Sequence, residues 1–284
     1  MTTAAATMGN LAAEVTGQLR RGGVAHPRRE ALRILGDLAG GEAGAALLHP
    51  ERTAPDVLRE RAIAAAERRA NGEPIAYVTG RAGFRHLDLV VDSRVLIPRP
   101  ETEQLVELVL DAAPGGLVVD VGTGSGCIAL SLAAEGRYAG VVGIDRSDAA
   151  LQVARANGLR LGLAVEWLEG DLLDRVRGRS FDAVVSNPPY LSAEEYRGLD
   201  SSVKAWEPEA ALVSGDDGLG ATGRLLRDAP HVLRLGGFLA LELDHSRAAA
   251  TAALAAAAGW QAVTVTKDLF GRDRFLTARR EPTP

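Results

Sequence analysis

Residues 181–190 have the sequence Phe181-Asp-Ala-Val-Val-Ser-Asn-Pro-Pro-Tyr190 and predict a buried strand that ends in a rigid polar turn. The apolar, β-branched residues before Asn187 are typical of a central parallel strand. Pro188 and Pro189 lack backbone N–H donors, so strand pairing cannot continue past them. In an open α/β sheet, ligands bind beyond the carboxyl ends of the strands. The Asn187 amide, stiff backbone carbonyls and the Tyr190 ring at that place suit a planar NH2 group.

A second informative segment is a glycine-rich loop between a predicted strand, 117–121, and a predicted helix that begins at Cys127. The loop has the sequence Gly122-Thr123-Gly124-Ser125-Gly126, and its strand-loop-helix context makes it meaningful. Its alternating glycines differ from the dinucleotide fingerprint, in which two residues precede the third glycine. The acid Asp120 precedes the loop by two positions. This variant resembles the loop of S-adenosylmethionine-dependent methyltransferases, which bind a nucleoside without phosphates.

Two acids follow the next predicted strands and are candidates for nucleoside binding. Asp145 ends the strand 140–145, where a carboxylate can accept from both ribose hydroxyls. The alternative role of Asp145 is the N-cap of the helix that follows. After the third strand, Asp171 could accept from the adenine amino group and Leu172 could pack on the ring. The alternative for this pair is a loop acid and a core leucine.

The order of the predicted elements indicates an α/β fold with a mostly parallel sheet and one reversed strand. A helix is expected at 222–235, and residues 191–222, which are polar and rich in turns, are expected to form a flap over the site. The other predicted elements are strands at 164–168, 181–186 and 238–243, helices at 147–158 and 245–258, and a closing pair of strands, Trp260–Val265 and Arg274–Ala278.

The first part of the chain predicts three amphipathic helices. Their expected apolar faces are Leu11, Val15 and Leu19; Ala31, Ile34, Leu35 and Leu38; and Val57, Leu58, Ala62 and Ile63. The opposite face of the third helix is charged, with Arg59, Glu60, Arg61, Glu67, Arg68 and Arg69. This face is either a solvated surface or a docking surface for a macromolecular partner.

The turn cluster Asn71-Gly72-Glu73-Pro74 predicts the end of this helical domain, which would span residues 1–73. Alternation from Phe84 to Leu96 predicts an antiparallel β-ribbon with a turn at Asp92-Ser93, inside a linker that covers 74–100. A helix is expected from Glu101, where the catalytic domain, 101–284, would begin.

Composition limits the class of protein. The 284 residues have a formal net charge of −5 and a pI of about 5.6, which does not favour a protein that grips nucleic acid unaided. With one cysteine, Cys127, a reducing compartment is expected. The N-terminus does not resemble a signal peptide, and the alanine-rich run 248–258 is too short to span a bilayer. The histidines and Cys127 have no metal-ligand spacing, so no metal is expected.

Several segments resemble one family. The Asn187-Pro-Pro-Tyr190 turn, after an alternating-glycine loop, is the signature of amino methyltransferases that act on adenine N6 or on glutamine amides. Pro74-Ile-Ala-Tyr-Val-Thr-Gly80, Val95-Leu-Ile-Pro-Arg-Pro-Glu-Thr-Glu103 and residues 207–218 and 268–274 resemble the peptide chain release factor glutamine methyltransferases. The resemblance implies a class I methyltransferase: a seven-stranded, mostly parallel, Rossmann-like sheet with a small N-terminal helical domain that docks the release factor.

The resemblance also implies a reaction. The methyl group of S-adenosylmethionine passes to the side-chain amide nitrogen of the glutamine in the Gly-Gly-Gln loop of a class I release factor, which tunes translation termination. The implied enzyme is a cytoplasmic monomer that does not bind nucleic acid directly or a membrane. The implied cofactor residues are Gly122, Thr123, Gly124, Ser125, Gly126, Asp145, Asp171, Leu172 and Asn187. The implied catalytic and substrate-binding residues are Asn187, Pro188, Pro189 and Tyr190, with Arg99 and Glu101 also at the substrate.

The chemistry of an amide explains why such a turn is needed. An amide nitrogen is a poor nucleophile because its lone pair is delocalised into the carbonyl. If Asn187 Oδ1 and the Pro188 carbonyl accept hydrogen bonds from its two N–H groups, the nitrogen is aligned with the methyl group. The positive charge that develops on the nitrogen is then stabilised. Tyr190 would pack on the amide plane. No residue in the sequence is singled out as a dedicated base.

Other functions remain open from the sequence. A DNA adenine methyltransferase must flip its base and normally has a basic groove, which the acidic pI does not favour. A ribosomal-protein glutamine methyltransferase would share nearly every motif. A cofactor-binding scaffold without activity is disfavoured because the glycine loop and the Asn-Pro-Pro-Tyr turn are both intact.

Overall fold

The computed structural model describes residues 7–40 and 49–281, and the chain divides into two units, Met1–Arg81 and Ala82–Pro284. We expect no signal peptide at the N-terminus, and most of that segment, residues 1–6, lies outside the described residues. Within the described ranges, none of the helices has the length and apolar character needed to cross a membrane.

The first unit consists of helices whose apolar faces meet. Leu11, Val15 and Leu19 are buried against Ile34 and Leu35, as their helical spacing predicts. The third helix differs from the prediction because its buried stripe is Leu58, Ala62, Ala65 and Ala66, whereas Val57 is 67% exposed. Small alanines let the helices approach closely, so Val57 is not needed in the core. The helices are α1 (Met8–Arg21), α2 (Pro27–Leu38), α3 (Asp56–Ala70) and α4 (Ile75–Thr79).

The charged face of α3 takes part in the structure of the first unit. Arg59 Nη2 lies 2.8 Å from Glu14 Oε1, and Arg69 Nε lies 2.6 Å from Glu30 Oε2. Arg68 Nε donates to Glu73 Oε2 at 2.7 Å. The exposed pair of Arg59 and Glu14 contributes at most about 1 kcal/mol, whereas Glu30 and Glu73 are largely buried in their pairs. Much of this face therefore serves the unit itself, and docking of a partner stays a prediction.

The division between the two units falls later than the predicted boundary at Asn71–Pro74. Asn71 does end α3, and Gly72 has a φ of 95° that suits a turn. The short helix α4 then packs back on α2 and α3, with Val78 in the same apolar core. Residues 74–81 consequently belong to the first unit.

The two-stranded ribbon turns at a different place from the predicted one. Its strands are β1 (Arg81–Phe84) and β2 (Leu87–Val90), so the turn is at Arg85-His86. Arg85 has a φ of 50°. Its backbone N–H donates to Glu103 Oε1 at 2.9 Å, and its guanidinium pairs with Glu135 at 2.7 Å. These contacts hold a conformation that a non-glycine residue rarely adopts.

The predicted linker is therefore split between the two units. Phe84 and Leu89 of the ribbon are buried in the core of the second unit. The buried Asn157 fastens the ribbon further, because its Oδ1 accepts from Val90 N–H at 2.7 Å and its Nδ2 donates to the Val90 carbonyl at 3.0 Å. Asp92-Ser93, where the turn was predicted, follows the ribbon.

The second unit contains a seven-stranded sheet with the order β5-β4-β3-β6-β7-β9-β8. Strands β3 to β7 pair in parallel, and β9 is antiparallel to both of its neighbours. The mostly parallel fold with one reversed strand is confirmed. The strands are β3 (Gly115–Val121), β4 (Arg137–Asp145), β5 (Glu166–Glu169), β6 (Phe181–Ser186), β7 (Leu233–Glu242), β8 (Gln261–Lys267) and β9 (Asp273–Arg279).

Helices cover both faces of the sheet. Side chains alternate along β6, so Val184 packs in one apolar cluster, whereas Ala183 and Val185 pack in the other. The remaining helices are α5 (Pro100–Ala112), α6 (Cys127–Glu135), α7 (Asp148–Leu161), α8 (Ala193–Gly198), α9 (Ser201–Trp206), α10 (Gly220–Asp228) and α11 (Ala248–Ala257). The carboxyl ends of the parallel strands remain at one edge of the sheet.

The helix predicted at 222–235 is shorter than expected. It begins at Gly220 and ends at Asp228, and a single 3-10 turn that contains Pro230 follows. Proline cannot donate the backbone hydrogen bond that a continuing helix requires. Gly236 and Gly237, expected after the helix, lie inside β7 and exchange backbone hydrogen bonds with Arg280.

Replacing Asn157 with alanine should destabilise the second unit. The backbone groups of Val90 and the carbonyl of Ser125, which accepts from Asn157 Nδ2 at 3.0 Å, would lose their partner. A buried polar group without a partner costs about 1–3 kcal/mol. Urea unfolding should therefore show a loss of this size, whereas Leu159→Ala, on the exposed face of the same helix, should change little. Equal stability of the two variants would contradict the role given to Asn157.

Candidate active site

The sheet places the two informative segments side by side. Strands β3 and β6 are neighbours, and Val121 pairs with Ser186. The Ser186 hydroxyl donates to the Val121 carbonyl at 2.6 Å, which joins the two strand ends. The next residue of each chain segment is Gly122 on one side and Asn187 on the other. The glycine loop and the Asn-Pro-Pro-Tyr turn therefore begin next to each other.

The glycine loop leaves open space above it and packs closely below it. Gly122, Gly124 and Gly126 all have positive φ, which favours glycine. A Cβ at Gly122 or Gly124 would meet no protein atom within 4 Å, whereas at Gly126 it would lie 2.9 Å from the Trp167 ring. The first two glycines thus allow a ligand to approach the backbone, and the third lets the loop pack on β5.

Asp120 supports the loop and has one free oxygen. Its Oδ2 accepts from Thr123 Oγ1 at 2.6 Å and from Ala129 N–H at 3.1 Å. Its Oδ1 is buried and has no hydrogen-bond partner within the described part of the chain. Burial raises the pKa of Asp120 to about 7, although both hydrogen bonds oppose that shift. A buried carboxylate oxygen of this kind suits a ligand group that donates or carries positive charge.

The Asp145 side chain connects the end of β4 to the glycine loop by a hydrogen bond. Its Oδ2 accepts from Gly124 N–H at 2.9 Å, and its Oδ1 accepts from Ser147 N–H at 2.9 Å. The N-cap of α7 is Ser147, whose hydroxyl accepts from Ala150 N–H, so the alternative role of Asp145 as that cap is wrong. Burial raises the pKa of Asp145.

The segment after β5 has a different contact from the predicted one. Asp171 Oδ2 lies 2.7 Å from Arg224 Nη1 of α10, in a partly exposed ion pair that the sequence did not suggest. Leu172 has a φ of 52° and packs partly against the apolar core. A leucine in this conformation costs about 1–3 kcal/mol and marks a constrained position. The roles of Asp171 and Leu172 at an adenine ring stay predictions.

A small pocket opens at the turn after β6. Tyr190 is mostly buried, and burial raises its pKa to about 12, so the phenol is neutral near pH 7. Of the predicted substrate residues, Pro189 and Glu101 do not line this pocket. The lining residues are Leu96, Arg99, Asn187, Pro188, Tyr190, Ala211 and Leu212.

The Arg99 side chain in this pocket is held by a buried acid. Arg99 Nη2 lies 2.7 Å from Glu207 Oε1 and 2.6 Å from Oε2, and Glu207 is almost completely buried. The pair joins the N-terminal end of α5 to the segment after α9. Ala211 and Leu212 of that segment form part of the pocket wall. The opening and closing of this segment as a flap over the site stays a prediction.

Two buried residues that the sequence analysis missed hold Asn187. Asn187 Nδ2 donates to Thr102 Oγ1 at 3.1 Å, and Thr102 Oγ1 donates to Glu242 Oε2 at 2.7 Å. Burial raises the pKa of Glu242 to about 7. An acid at the carboxyl end of a parallel strand was the signal that singled out Asp145, and it applies equally to Glu242. Thr102 gave no signal beyond its place on the buried face of α5.

The described residues contain no group of three or more histidine, cysteine, aspartate or glutamate side chains that could hold a metal ion. The groups at this edge of the sheet are instead arranged for hydrogen bonding. Together, the fold and the paired loop and turn define a class I methyltransferase.

Comparisons with known sequences identify the family. A profile described as "Methyltransferase small domain" matches residues 100–200, and one described as "PrmC N-terminal domain" matches residues 10–80. The release factor glutamine methyltransferase of Moorella thermoacetica is 43% identical over 275 residues, which cover 94% of this chain and 97% of that protein. The one from Deinococcus radiodurans is 40% identical over 95% and 98%. The chain belongs to the release factor glutamine methyltransferase family, and the resemblance seen in the sequence is confirmed.

Solved structures are similar in fold. A methyltransferase from Pyrococcus furiosus has a TM-score of 0.52 and 20% identity over 69% of this chain and 90% of that chain. A 16S rRNA methyltransferase from T. thermophilus, in complex with AdoMet and guanosine, has a TM-score of 0.50 and 18% identity over 71% and 50%. At these identities the similarity shows a shared fold.

Replacing Asp120 with asparagine should change how stability depends on pH. The folded protein keeps the Asp120 proton up to about pH 7. The contribution of this group to the free energy of unfolding is therefore fully present below the ordinary aspartate pKa. It is lost as the pH rises through 7. Between pH 5 and 8 the wild type should therefore lose about 1–3 kcal/mol relative to Asp120→Asn. Urea unfolding of the ligand-free proteins measures this difference, with the exposed Asp111→Asn as control. Parallel pH curves for all three proteins would contradict the role of burial.

Proposed function

We propose that this protein transfers the methyl group of S-adenosylmethionine to the side-chain amide nitrogen of the glutamine in the Gly-Gly-Gln loop of class I release factors. The observation that carries the proposal is the Asn187 amide, which lines a pocket beside the glycine loop while its Nδ2 is bound by Thr102. The names of the full-length relatives support the choice of release factors. A cytoplasmic enzyme acting in translation termination follows from that substrate.

The residues around the glycine loop fit this cofactor. The free Asp120 Oδ1 suits the ammonium group of its methionine part, and the space above Gly122 and Gly124 allows close approach to the backbone. Asp145 stands at the end of β4, where a ribose-binding acid is expected. When bound, S-adenosylmethionine supplies an electrophilic methyl group on a positively charged sulfur.

The residues of the pocket make the amide nitrogen reactive by position and charge. Asn187 Oδ1 and the Pro188 carbonyl accept hydrogen bonds from the two N–H groups of the glutamine amide, which aligns the nitrogen with the methyl group. Both acceptors also stabilise the positive charge that develops on the nitrogen. The neutral, mostly buried Tyr190 packs on the amide plane and excludes water.

The proton lost from the nitrogen does not require a dedicated base. An amide nitrogen that has gained a methyl group and positive charge is strongly acidic, so it gives the proton to bulk water after transfer without the help of a base. The carboxylates of Asp120 and Glu242 already accept hydrogen bonds from Thr123 and Thr102. They therefore act on the loop and on Asn187 instead of on the substrate proton.

Methyl transfer to purified release factor tests the proposal. With labelled S-adenosylmethionine, the wild-type factor should be labelled, whereas a Gly-Gly-Ala variant of the factor should not. Ribosomal proteins and duplex DNA, assayed in parallel, test the two other acceptor classes. Label that appears only on ribosomal protein or only on DNA would contradict the proposal and assign the protein to that class.

Replacing Asn187 with alanine should lower turnover by roughly 10²-fold or more, because one transition-state hydrogen bond is lost. Binding of S-adenosylmethionine, measured by calorimetry, should change little. Gln261→Ala removes an exposed amide from β8 and serves as the matched control. Near-normal turnover in the Asn187 variant would show that this amide does not act on the substrate.

A further inference from the structure

The contacts behind Asn187 form a chain of hydrogen bonds that ends in a buried carboxyl group. Asn187 Nδ2 donates to Thr102 Oγ1 at 3.1 Å, and Thr102 Oγ1 donates to Glu242 Oε2 at 2.7 Å. Thr102 and Glu242 are each only 2% exposed. Neither residue lines the pocket, and Asn187 is the pocket residue to which Thr102 is hydrogen-bonded.

The direction of this chain follows from the chemistry of its end. An ionised carboxylate only accepts hydrogen bonds, so the Thr102 hydroxyl must donate to Glu242. The remaining lone pairs of Thr102 Oγ1 can only accept, and they select the NH2 side of the Asn187 amide. An amide has nearly the same shape in both orientations, so its partners decide which atom faces which way.

We propose that Glu242 and Thr102 are positioning residues that orient the Asn187 amide, so that Oδ1 and not Nδ2 faces the acceptor nitrogen. The inference rests on the proposed function, because Oδ1 matters only if the substrate offers N–H bonds. With the amide reversed, Nδ2 would face the NH2 group of the glutamine, and two donors would oppose each other. The reaction would then lose the acceptor that stabilises the developing charge.

The charge of Glu242 decides whether the orientation is fixed. The groups around it are Arg274 from β9, Arg99 at the N-cap of α5, Glu101 in its first turn, Tyr190 after β6 and Cys127 from α6. Burial raises the pKa of Glu242 to about 7; Thr102 and the two arginines oppose the shift, and Glu101 adds to it. Above this pH the carboxylate holds Thr102 as a donor. Below it, the protonated carboxyl can itself donate to Thr102, which can then donate to Asn187 Oδ1 and reverse the amide.

A general-base role for Glu242 does not explain this geometry. Two hydrogen bonds and the Asn187 amide separate its carboxyl group from the pocket, and an amide does not pass a proton on without changing its bonding. The carboxylate therefore acts on the orientation of Asn187, and we expect the effect in turnover and its pH dependence and not in cofactor binding.

Glu242→Gln tests the inference because it keeps the size of the side chain and removes its charge. The glutamine can donate to Thr102, so both amide orientations become available. Turnover with intact release factor should fall by roughly 10- to 10²-fold, the scale of one transition-state hydrogen bond. The KM for the factor and the affinity for S-adenosylmethionine should stay within about threefold, as expected for an interaction made only in the transition state. The fall in turnover below about pH 7, present in the wild type, should be absent.

Thr102 provides a matched pair of variants. Thr102→Val has nearly the same shape without the hydroxyl and should lose turnover like Glu242→Gln. Thr102→Ser keeps the hydroxyl and should retain turnover within about threefold of wild type. Thermal unfolding and binding of S-adenosylmethionine identify any variant that fails to fold. If Glu242→Gln does not fold, the comparison of the two Thr102 variants decides.

The outcomes separate this inference from the proposed function. If the wild type does not label the Gly-Gly-Gln factor, the proposed function fails and the inference fails with it. Suppose that the wild type is active. If Glu242→Gln then has the turnover of the wild type and the same fall in turnover below about pH 7, the inference alone is overturned. Equal turnover of folded Thr102→Val and Thr102→Ser would overturn it as well.

Discussion

The parallel register between β3 and β6 is the constraint on which the site depends. Val121 is paired with Ser186, and the Ser186 hydroxyl joins the ends of the two strands by a hydrogen bond to the Val121 carbonyl. A slip of one residue would turn each side chain of β6 to the other face of the sheet. It would also separate Asn187 from Gly122, which now begin the turn and the loop side by side. The position of the turn relative to the glycine loop is thus set by the backbone before any side chain acts.

This edge of the sheet contains two buried acids whose placement costs stability. Burial raises the pKa of Asp120 and of Glu242 to about 7, so near neutral pH each is ionised only at a cost in folding free energy. Neither acid is needed to fill the core, where an apolar residue would be cheaper. Asp120 supports the glycine loop and Glu242 supports Asn187 through Thr102. Both acids therefore hold the loop and the turn in place at a cost in stability, as is common in enzymes.

The parts of the fold that depend on local pattern were predictable, and the parts that depend on distant contacts were not. Strand β6, the glycine loop and the Asn187 turn follow from apolar runs, glycine spacing and proline. The ribbon turn at Arg85 depends on acids that lie 18 and 50 residues away. The helix α10 stops before Pro230, a signal that was present and missed. Glu242 and Thr102 lie 140 residues apart, so their contact could not be read from spacing.

The turn by itself does not select one substrate, so selectivity must come from its surroundings. In the proposed function, Asn187 and Pro188 accept hydrogen bonds from two N–H groups, which an adenine presents as well as a glutamine does. The rest of the pocket wall differs in what it offers: Leu96, Ala211 and Leu212 are apolar, and the charge of Arg99 is balanced by Glu207. Such a wall suits the aliphatic part of a glutamine side chain. Among the described residues that line it, Tyr190 is the one aromatic side chain on which a base could stack. Under the proposed function, the segment after α9 that supplies Ala211 and Leu212 therefore contributes to the choice of acceptor, while the turn determines the chemistry.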